Sequence, residues 1–148
     1  MPQGQRNDPY RNFRYRVEID GIQQAGFSDA TVPDSSVAVV EYREGNEPNP
    51  ATVRKLTGLT KYGNLTLKWG ITDSMDLYDW YMTGVKGKVE RKNISVIVVD
   101  EEGKDTCRWN FIQAWPSKYD PPDLTAKGSD VAIELLEIVH EGMERVGP

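Results

Sequence analysis

The sequence predicts a mainly β protein with one short helix, arranged as a barrel or a sandwich. Residues 13–20, FRYRVEID, and residues 64–69, NLTLKW, alternate between apolar and polar side chains. That period of two is typical of strands with one buried face and one solvated face. Two β-branched runs, VAVVEY at 37–42 and ISVIVV at 94–99, predict more deeply buried strands. Several short strands at close spacing are typical of barrels and sandwiches.

Residues 74–83 form the one predicted helix. Asp73 and Ser74 are typical of a helix start, because their side chains can accept hydrogen bonds from the first free amides. Asp76 suits the positive N-terminal end of the helix, and Gly84 is typical of its C-terminal end.

A β-hairpin is predicted in the second half of the chain. Glu102 and Gly103 supply a tight turn between the run 94–99 and a strand that starts at Cys107 and ends at Trp115.

The C-terminal stretch 129–146, SDVAIELLEIVHEGMERV, is ambiguous by pattern alone. Val131, Leu135 and Ile138 fit helical spacing, and glutamate and leucine are good helix formers. The residues by themselves therefore favour a helix over a strand here.

Residues 43–63 are predicted to form an unusually long inter-strand loop. The segment contains two prolines, three glycines and many polar residues. Loops of this length in compact domains are usually functional or are ordered by another molecule.

Length and composition limit the classes of protein to which this chain can belong. The 148 residues suit a single domain, and no apolar run approaches the roughly 20 residues that span a bilayer. The N-terminal segment MPQGQRNDPY lacks the apolar core of a signal peptide, so no signal peptide is expected, and the single cysteine indicates synthesis in a reducing cytoplasm. The net charge of −5 argues against nucleic-acid binding through a basic face.

The sequence contains few residues that could form a catalytic site. His140 and Cys107 are the sole residues of their types, so a zinc site with four nitrogen or sulfur ligands is not expected. A thiolate–imidazole pair between them is the remaining enzymatic alternative. Nucleotide-binding and nucleophile-elbow motifs do not occur. We expect no enzyme activity, no catalytic residue, no cofactor and no metal.

Several segments together resemble the inner-tube proteins of contractile phage tails and of phage-tail-like particles. The segments appear in the family's order and spacing over nearly the whole chain. They are DPYRNFRYRVEIDG at 8–21, GFSDATV at 26–32, YREGNEP at 42–48, RKLTGLTKYGNLTLKWGIT at 54–72, DLYDWY at 76–81 and the segment 108–146. Within the family, the sequence looks most similar to the tube proteins of extracellular contractile injection systems.

The resemblance implies a small β-barrel of two packed antiparallel sheets with one flanking helix. It also implies that the segment 131–142 is a strand, and we adopt a strand there against the helical pattern, with either a bulge at Leu135 and Leu136 or cover on both faces. In such a family six copies form a ring, and rings stack into a hollow tube inside a sheath. The implied partners are further copies of the chain, the sheath, baseplate and terminator-cap proteins, and a luminal cargo of protein or DNA, with no specific nucleic-acid binding and no membrane anchor.

The resemblance also implies contact residues. The long loop would reach the neighbouring ring, and its charged side chains would pair with opposite charges there. These side chains belong to Arg43, Glu44, Glu47, Arg54 and Lys55.

The aromatic cluster at 108–120 divides into two groups. Trp109 and Phe111 are expected in the core, beneath the helix near Trp80. Trp115 and Tyr119 are expected to lie past the end of the strand and to contact a neighbouring subunit, with burial in the core as the alternative.

Two other functions remain open from sequence. One is a secreted ring protein of a type VI secretion system, which shares the fold class. The other is a monomeric β-barrel binding module that uses the aromatic cluster as its ligand site. The final location is expected to be a phage tail or a released injection particle; the sequence leaves open which of these, the cargo, and which charges line the lumen.

Overall fold

The computed structural model describes residues 14–22, 26–42, 53–124 and 132–147, and within these ranges it contains nine strands and one helix. The elements are β1 (Tyr15–Ile19), β2 (Phe27–Thr31), β3 (Ser35–Tyr42), β4 (Arg54–Tyr62), β5 (Leu65–Gly70), α1 (Asp76–Val85), β6 (Lys92–Val99), β7 (Asp105–Asp120), β8 (Ile133–Val139) and β9 (Gly142–Val146). No helix in the described part of the chain is long and apolar enough to cross a membrane.

Two packed antiparallel sheets share one long strand, β7. The hydrogen-bonded order is β1-β6-β7-β8-β5-β2, and β9 also pairs with β7. The first half of β7 pairs with β6 and β9, and its second half, from Trp115 to Asp120, pairs with β8. Between the halves, Gln113 adopts a φ of 51°, which turns the strand from one sheet into the other. This architecture confirms the predicted fold class.

The two end strands of this order, β1 and β2, approach each other without forming a ladder among the described residues. The Tyr15 hydroxyl donates a hydrogen bond of 2.9 Å to the Phe27 carbonyl across the gap. The barrel is therefore open along this side.

The core lies between the two sheets and under α1. Alternation along β5 places Leu65, Leu67 and Trp69 inside, opposite Leu136 and Ile138 of β8. Phe111 and Ala114 of β7 and Ile94 and Val96 of β6 complete the centre. Because these side chains come from both sheets, their burial holds the sheets together.

The helix closes one side of the core with a narrow apolar stripe. Leu77 and Trp80 are buried, and α1 packs against β7. The Trp80 indole Nε1 donates a hydrogen bond of 2.6 Å to the Glu90 carbonyl, which satisfies its one polar atom. Trp80, Phe111 and the partly buried Trp109 all belong to this core, as predicted.

The helix begins two residues later than the predicted range 74–83. Met75 occupies the N-cap position and no side chain caps the first turn. Instead the Ser74 amide donates to the Thr72 hydroxyl in a preceding turn, at 3.2 Å. The acidic residues Asp76 and Asp79 do lie in the first turn.

The C-terminal segment forms two strands, so the helical pattern was misleading and the resemblance was right. β8 lies between β5 and β7 and is paired along both edges. Leu136 is buried and Leu135 is half-buried on the other face, so the strand is covered on both faces. The register shift next to β8 falls in β7, between Pro116 and Lys118, rather than at the leucine pair.

Three further predictions are corrected. Residues 37–42 form a strand, but the strand is exposed rather than buried. The predicted loop 43–63 is shorter, because Arg54–Tyr62 is the strand β4. Trp115 and Tyr119 lie within β7 rather than past its end, because the ladder with β8 extends this strand to Asp120.

Candidate functional site

The most unusual surface is a two-stranded antiparallel sheet formed by β3 and β4, here called the ribbon. In the described residues it pairs with no other strand, and every residue of β3 is exposed. Ser35 pairs with Tyr62 at its base and Tyr42 pairs with Arg54 at its far end. The joining residues 43–52 lie outside the described ranges.

The ribbon exposes large apolar side chains on both faces. Leu59 is 86% exposed and Val39 is 62% exposed. The others are Val37, Val40, Tyr42 and Leu56. A lone two-stranded hairpin is at best marginally stable in water, and contiguous exposed apolar surface marks an interaction site. The ribbon therefore has the character of a surface that another molecule covers.

A bulge on β4 presents Leu59. The register shifts between Val37 and Val39, where Gly58 and Leu59 together oppose Ala38. A Cβ atom at Gly58 would lie 3.1 Å from the Cβ and carbonyl oxygen of Ala38 and 3.1 Å from Val40 Cγ2. Glycine thus permits the close backbone approach that the bulge requires.

The base of the ribbon is fastened to the barrel. The Gly63 amide donates to the Asp34 carbonyl at 2.9 Å, which closes the ribbon at its base. His140, just after β8, has its Nε2 3.0 Å from the Gly63 carbonyl oxygen. The ring of His140 also packs between Tyr62, at a centroid distance of 5.6 Å, and the fully buried Phe111, at 4.9 Å. This histidine therefore connects the ribbon to the core, a role that the sequence did not reveal.

The predicted charged contact residues are only partly placed. Lys55 lies opposite Glu41, and Arg54 lies opposite Tyr42, at the far end of the ribbon. The other three, Arg43, Glu44 and Glu47, fall outside the described residues. Their part in subunit contact stays a prediction.

The predicted aromatic contacts are half-buried in the subunit itself. Tyr119 packs against Tyr78 and Tyr81 of α1, at centroid distances of 5.2 and 5.9 Å. Its hydroxyl hydrogen-bonds to Glu134. Partial burial, reinforced by the Glu134 carboxylate, raises the pKa of Tyr119 to about 12. Trp115 is half-buried opposite Val139, and the contact role of both aromatics stays a prediction.

A charged ladder covers the outer side of β1, β6 and β7. The Arg16 guanidinium makes two hydrogen bonds of 3.1 Å to the Asp105 carboxylate and one of 3.1 Å to Glu18. Arg108 reaches Glu18 at 3.4 Å. Hydrogen bonding from Arg16 lowers the pKa of Asp105. Both signs of charge alternate here, which suits a solvated surface.

The residues of the alternative enzyme site have separate surroundings. Buried Cys107 accepts a hydrogen bond from Arg145 Nε at 3.2 Å, while His140 contacts Gly63. No described contact joins the thiol to the imidazole. No cluster of metal-ligating side chains occurs within the described ranges.

Comparison with solved structures finds the same fold in contractile injection systems. A chain of the extended sheath–tube complex of an extracellular contractile injection system, PVC, has a TM-score of 0.83 at 23% identity, over 95% of this chain and 93% of that one. A chain of the anti-feeding prophage tube-terminating cap has a TM-score of 0.82 at 22% identity, over 97% and 95%. Hcp1 from Flavobacterium johnsoniae has a TM-score of 0.54 at 18% identity, over 92% and 97%.

No curated protein matches the chain by sequence. The family model of the T4-like virus tail tube protein gp19 matches residues 11–144, which span both sheets, the ribbon and the helix. The chain therefore belongs to the T4-like virus tail tube protein family, a family of structural tube proteins.

Proposed function

We propose that this chain is the building block of the inner tube of a contractile injection machine. Six copies form a ring, and rings stack into a hollow tube. Contraction of a surrounding sheath drives the tube through a target envelope, and its lumen conducts the cargo. The subunit acts mechanically, as a rigid wall, and performs no catalysis.

The ribbon is the observation that carries the proposal. A monomer that kept Val39, Leu56 and Leu59 in water would lose the stability that their burial provides, and its two strands would lack any covering layer. Ring formation and ring stacking are both heterologous contacts, one closing by rotation and the other continuing without limit. Covering the ribbon in such contacts removes from water the apolar surface that the lone subunit leaves exposed, which favours assembly.

The resemblance to solved assemblies supports the partners. Similar chains occur in a sheath–tube complex, a sheath/tube terminator, a baseplate and a tube-terminating cap. We assign sheath, baseplate and cap proteins as partners of this chain on that basis. The cargo is protein or DNA, and the chain binds no nucleic-acid sequence specifically.

We place the finished assembly in a phage tail or in a released extracellular particle, following assembly in the bacterial cytoplasm. A secreted ring of a type VI system is the weaker alternative. The fold similarity to Hcp1 has a TM-score of 0.54, against 0.83 for the chain of the sheath–tube complex.

Negative-stain electron microscopy of the purified protein, with light scattering for mass, tests the proposal. Rings and hollow tubes of uniform width are expected. A monodisperse particle of 16.7 kDa that stays monomeric after addition of a cognate baseplate would contradict the proposal and favour the binding-module reading.

A further inference from the structure

An open groove lies beside the N-terminal end of α1. It has a volume of about 310 Å³ and is bounded by α1, the end of β5, β7 and β8. We call it the aromatic groove and define it by Ile71, Met75, Tyr78, Tyr119 and Glu134, which line it above the buried Trp69 and Leu77.

The rim of the groove is apolar and adaptable. Met75 is 54% exposed and Ile71 is 50% exposed. Methionine fills irregular gaps well and is common on binding surfaces, because its thioether is flexible and polarisable. Water held against such side chains gains freedom when an apolar group replaces it.

The groove and the ribbon carry opposite charges. Among the described residues, Glu134 is the one charged residue that lines the groove, and residues 71–75 beside it contain Asp73 but no lysine or arginine. The described strands of the ribbon carry three basic residues and one acidic residue. These are Arg54, Lys55 and Lys61, with Glu41 as the acidic one. Opposite potentials of this kind favour encounter and fix the register of a contact.

We propose that the aromatic groove of one copy receives Leu59 from the ribbon of a second copy. Leu59 is the most exposed large apolar side chain in the described residues, and the bulge at Gly58 sets it outward from the strand. A projecting leucine on a strand with three basic residues matches an apolar cleft that is lined by the Glu134 carboxylate. This inference rests on the proposed tube function and identifies the receiving surface between subunits.

Disulfide trapping between two different single-cysteine proteins tests the contact. Both proteins carry Cys107→Ala; one also carries Leu59→Cys and the other Met75→Cys. The two are mixed, assembled and oxidised, and the products are identified by non-reducing electrophoresis and mass spectrometry. A covalent heterodimer joining residues 59 and 75 is expected, and it must link two copies because each chain has only one thiol.

The matched control replaces Met75→Cys with Val85→Cys. Val85 is 58% exposed and lies at the other end of α1. Tubes that form without a 59–75 heterodimer, or that give equal yields with 59–75 and 59–85, would overturn this inference and leave the proposed function standing. If neither rings nor tubes form from the unmodified protein, with or without a cognate baseplate, the proposed function fails and this inference fails with it.

A second measurement avoids cysteine chemistry. Leu59→Ala is expected to raise the protein concentration needed for tube growth at least roughly tenfold, because one buried leucine contact is lost at every interface. Ile112→Ala, a change at a half-exposed apolar residue of the barrel, serves as the control. An equal effect of the two substitutions on the concentration needed for tube growth would contradict the contact between Leu59 and the aromatic groove.

Discussion

The Nε2 atom of His140 lies 3.0 Å from the carbonyl oxygen of Gly63, so a residue at the end of β8 holds the base of the ribbon. A carbonyl can only accept, so His140 carries its proton on Nε2. Its Nδ1 is buried and has no partner among the described residues. The same ring packs on Tyr62 of the ribbon and on the fully buried Phe111, so this one side chain contacts both the ribbon and the core.

Replacement of this histidine separates its two roles. His140→Phe keeps an aromatic ring between Tyr62 and Phe111 but removes the hydrogen bond, with an expected cost of about 1 kcal/mol. His140→Ala removes the ring as well and is expected to cost about 2–4 kcal/mol. Denaturant unfolding gives these values, and hydrogen exchange in β4 should rise in both variants. Unchanged exchange in β4 with His140→Ala would show that the ribbon does not depend on this anchor.

Neighbouring positions on β7 test the location of the core. Phe111→Ala is expected to lower the free energy of unfolding by about 3–5 kcal/mol, because Phe111 is fully buried between the sheets. Ile112→Ala should cost less than about 1 kcal/mol, because Ile112 is 51% exposed. Equal losses in a urea titration of the two variants would place the core elsewhere.

The bulge on β4 is expected to tolerate only glycine at position 58. Gly58→Val places two methyl groups where even a Cβ lies 3.1 Å from a backbone oxygen. We expect the ribbon to shift and tube formation to be lost, with the barrel still folded by circular dichroism. Gly147→Ala is the matched control, since a Cβ there meets nothing within 4 Å. Normal tubes from Gly58→Val would show that the bulge is dispensable.

Alkaline pH should weaken the contact between Tyr119 and α1. The pKa of Tyr119 is raised from 10.0 to about 12 by partial burial and by Glu134. Its contribution to stability is therefore full below pH 10 and is lost as the pH rises toward 12, by up to about 2 kcal/mol. Thermal unfolding of the unassembled protein measures this loss. Tyr119→Phe should reduce the fall in unfolding temperature between pH 10 and pH 12. Tyr42→Phe, a change at an exposed ribbon residue, should leave that fall unaltered.

The apolar face of the ribbon should matter for assembly and not for subunit folding. Val40→Thr combined with Leu56→Thr is expected to reduce tube yield severely while leaving the unfolding midpoint of the barrel within error, because both residues are about half exposed. Sedimentation of assembled material and calorimetry of unassembled material give the two readings. A large loss of barrel stability would instead mean that the ribbon packs on its own subunit.

Strands with clean alternation were predictable from sequence. Tyr15–Ile19 and Leu65–Gly70 form where the period of two places them, because each has one buried face in the same subunit. The hairpin of β6 and β7 followed from Glu102 and from Gly103, whose φ is 85°. In these strands the alternating sequence pattern matches the alternating burial of the side chains.

The exposed strand β3 could not be understood from local pattern. A β-branched run normally indicates burial, yet Val37, Val39 and Val40 lie in water in the isolated subunit. The proposed burial of the ribbon against a second copy accounts for this run, and one chain's periodicity does not encode such a contact. β8 shows the reverse case, since its pairing with strands on both sides overrides the helical spacing of Leu135 and Ile138.

The candidate site was predicted only as a region. Lys55 and Arg54 do lie on the projecting element, but their pairing with Glu41 and Tyr42 required the register of the ribbon. Sequence could not identify His140 as an anchor, because its contacts to Tyr62 and Phe111 depend on three strands meeting in space.

The sixteen-residue strand β7 connects the two sheets covalently. A fully extended chain of that length would span roughly 50 Å, and the turn at Gln113 divides it into two segments, one in each sheet. Both sheets contain this one strand. A force applied to either sheet is therefore transmitted to the other through peptide bonds as well as through side-chain packing. Sliding the sheets past each other therefore requires the kink at Gln113 to open.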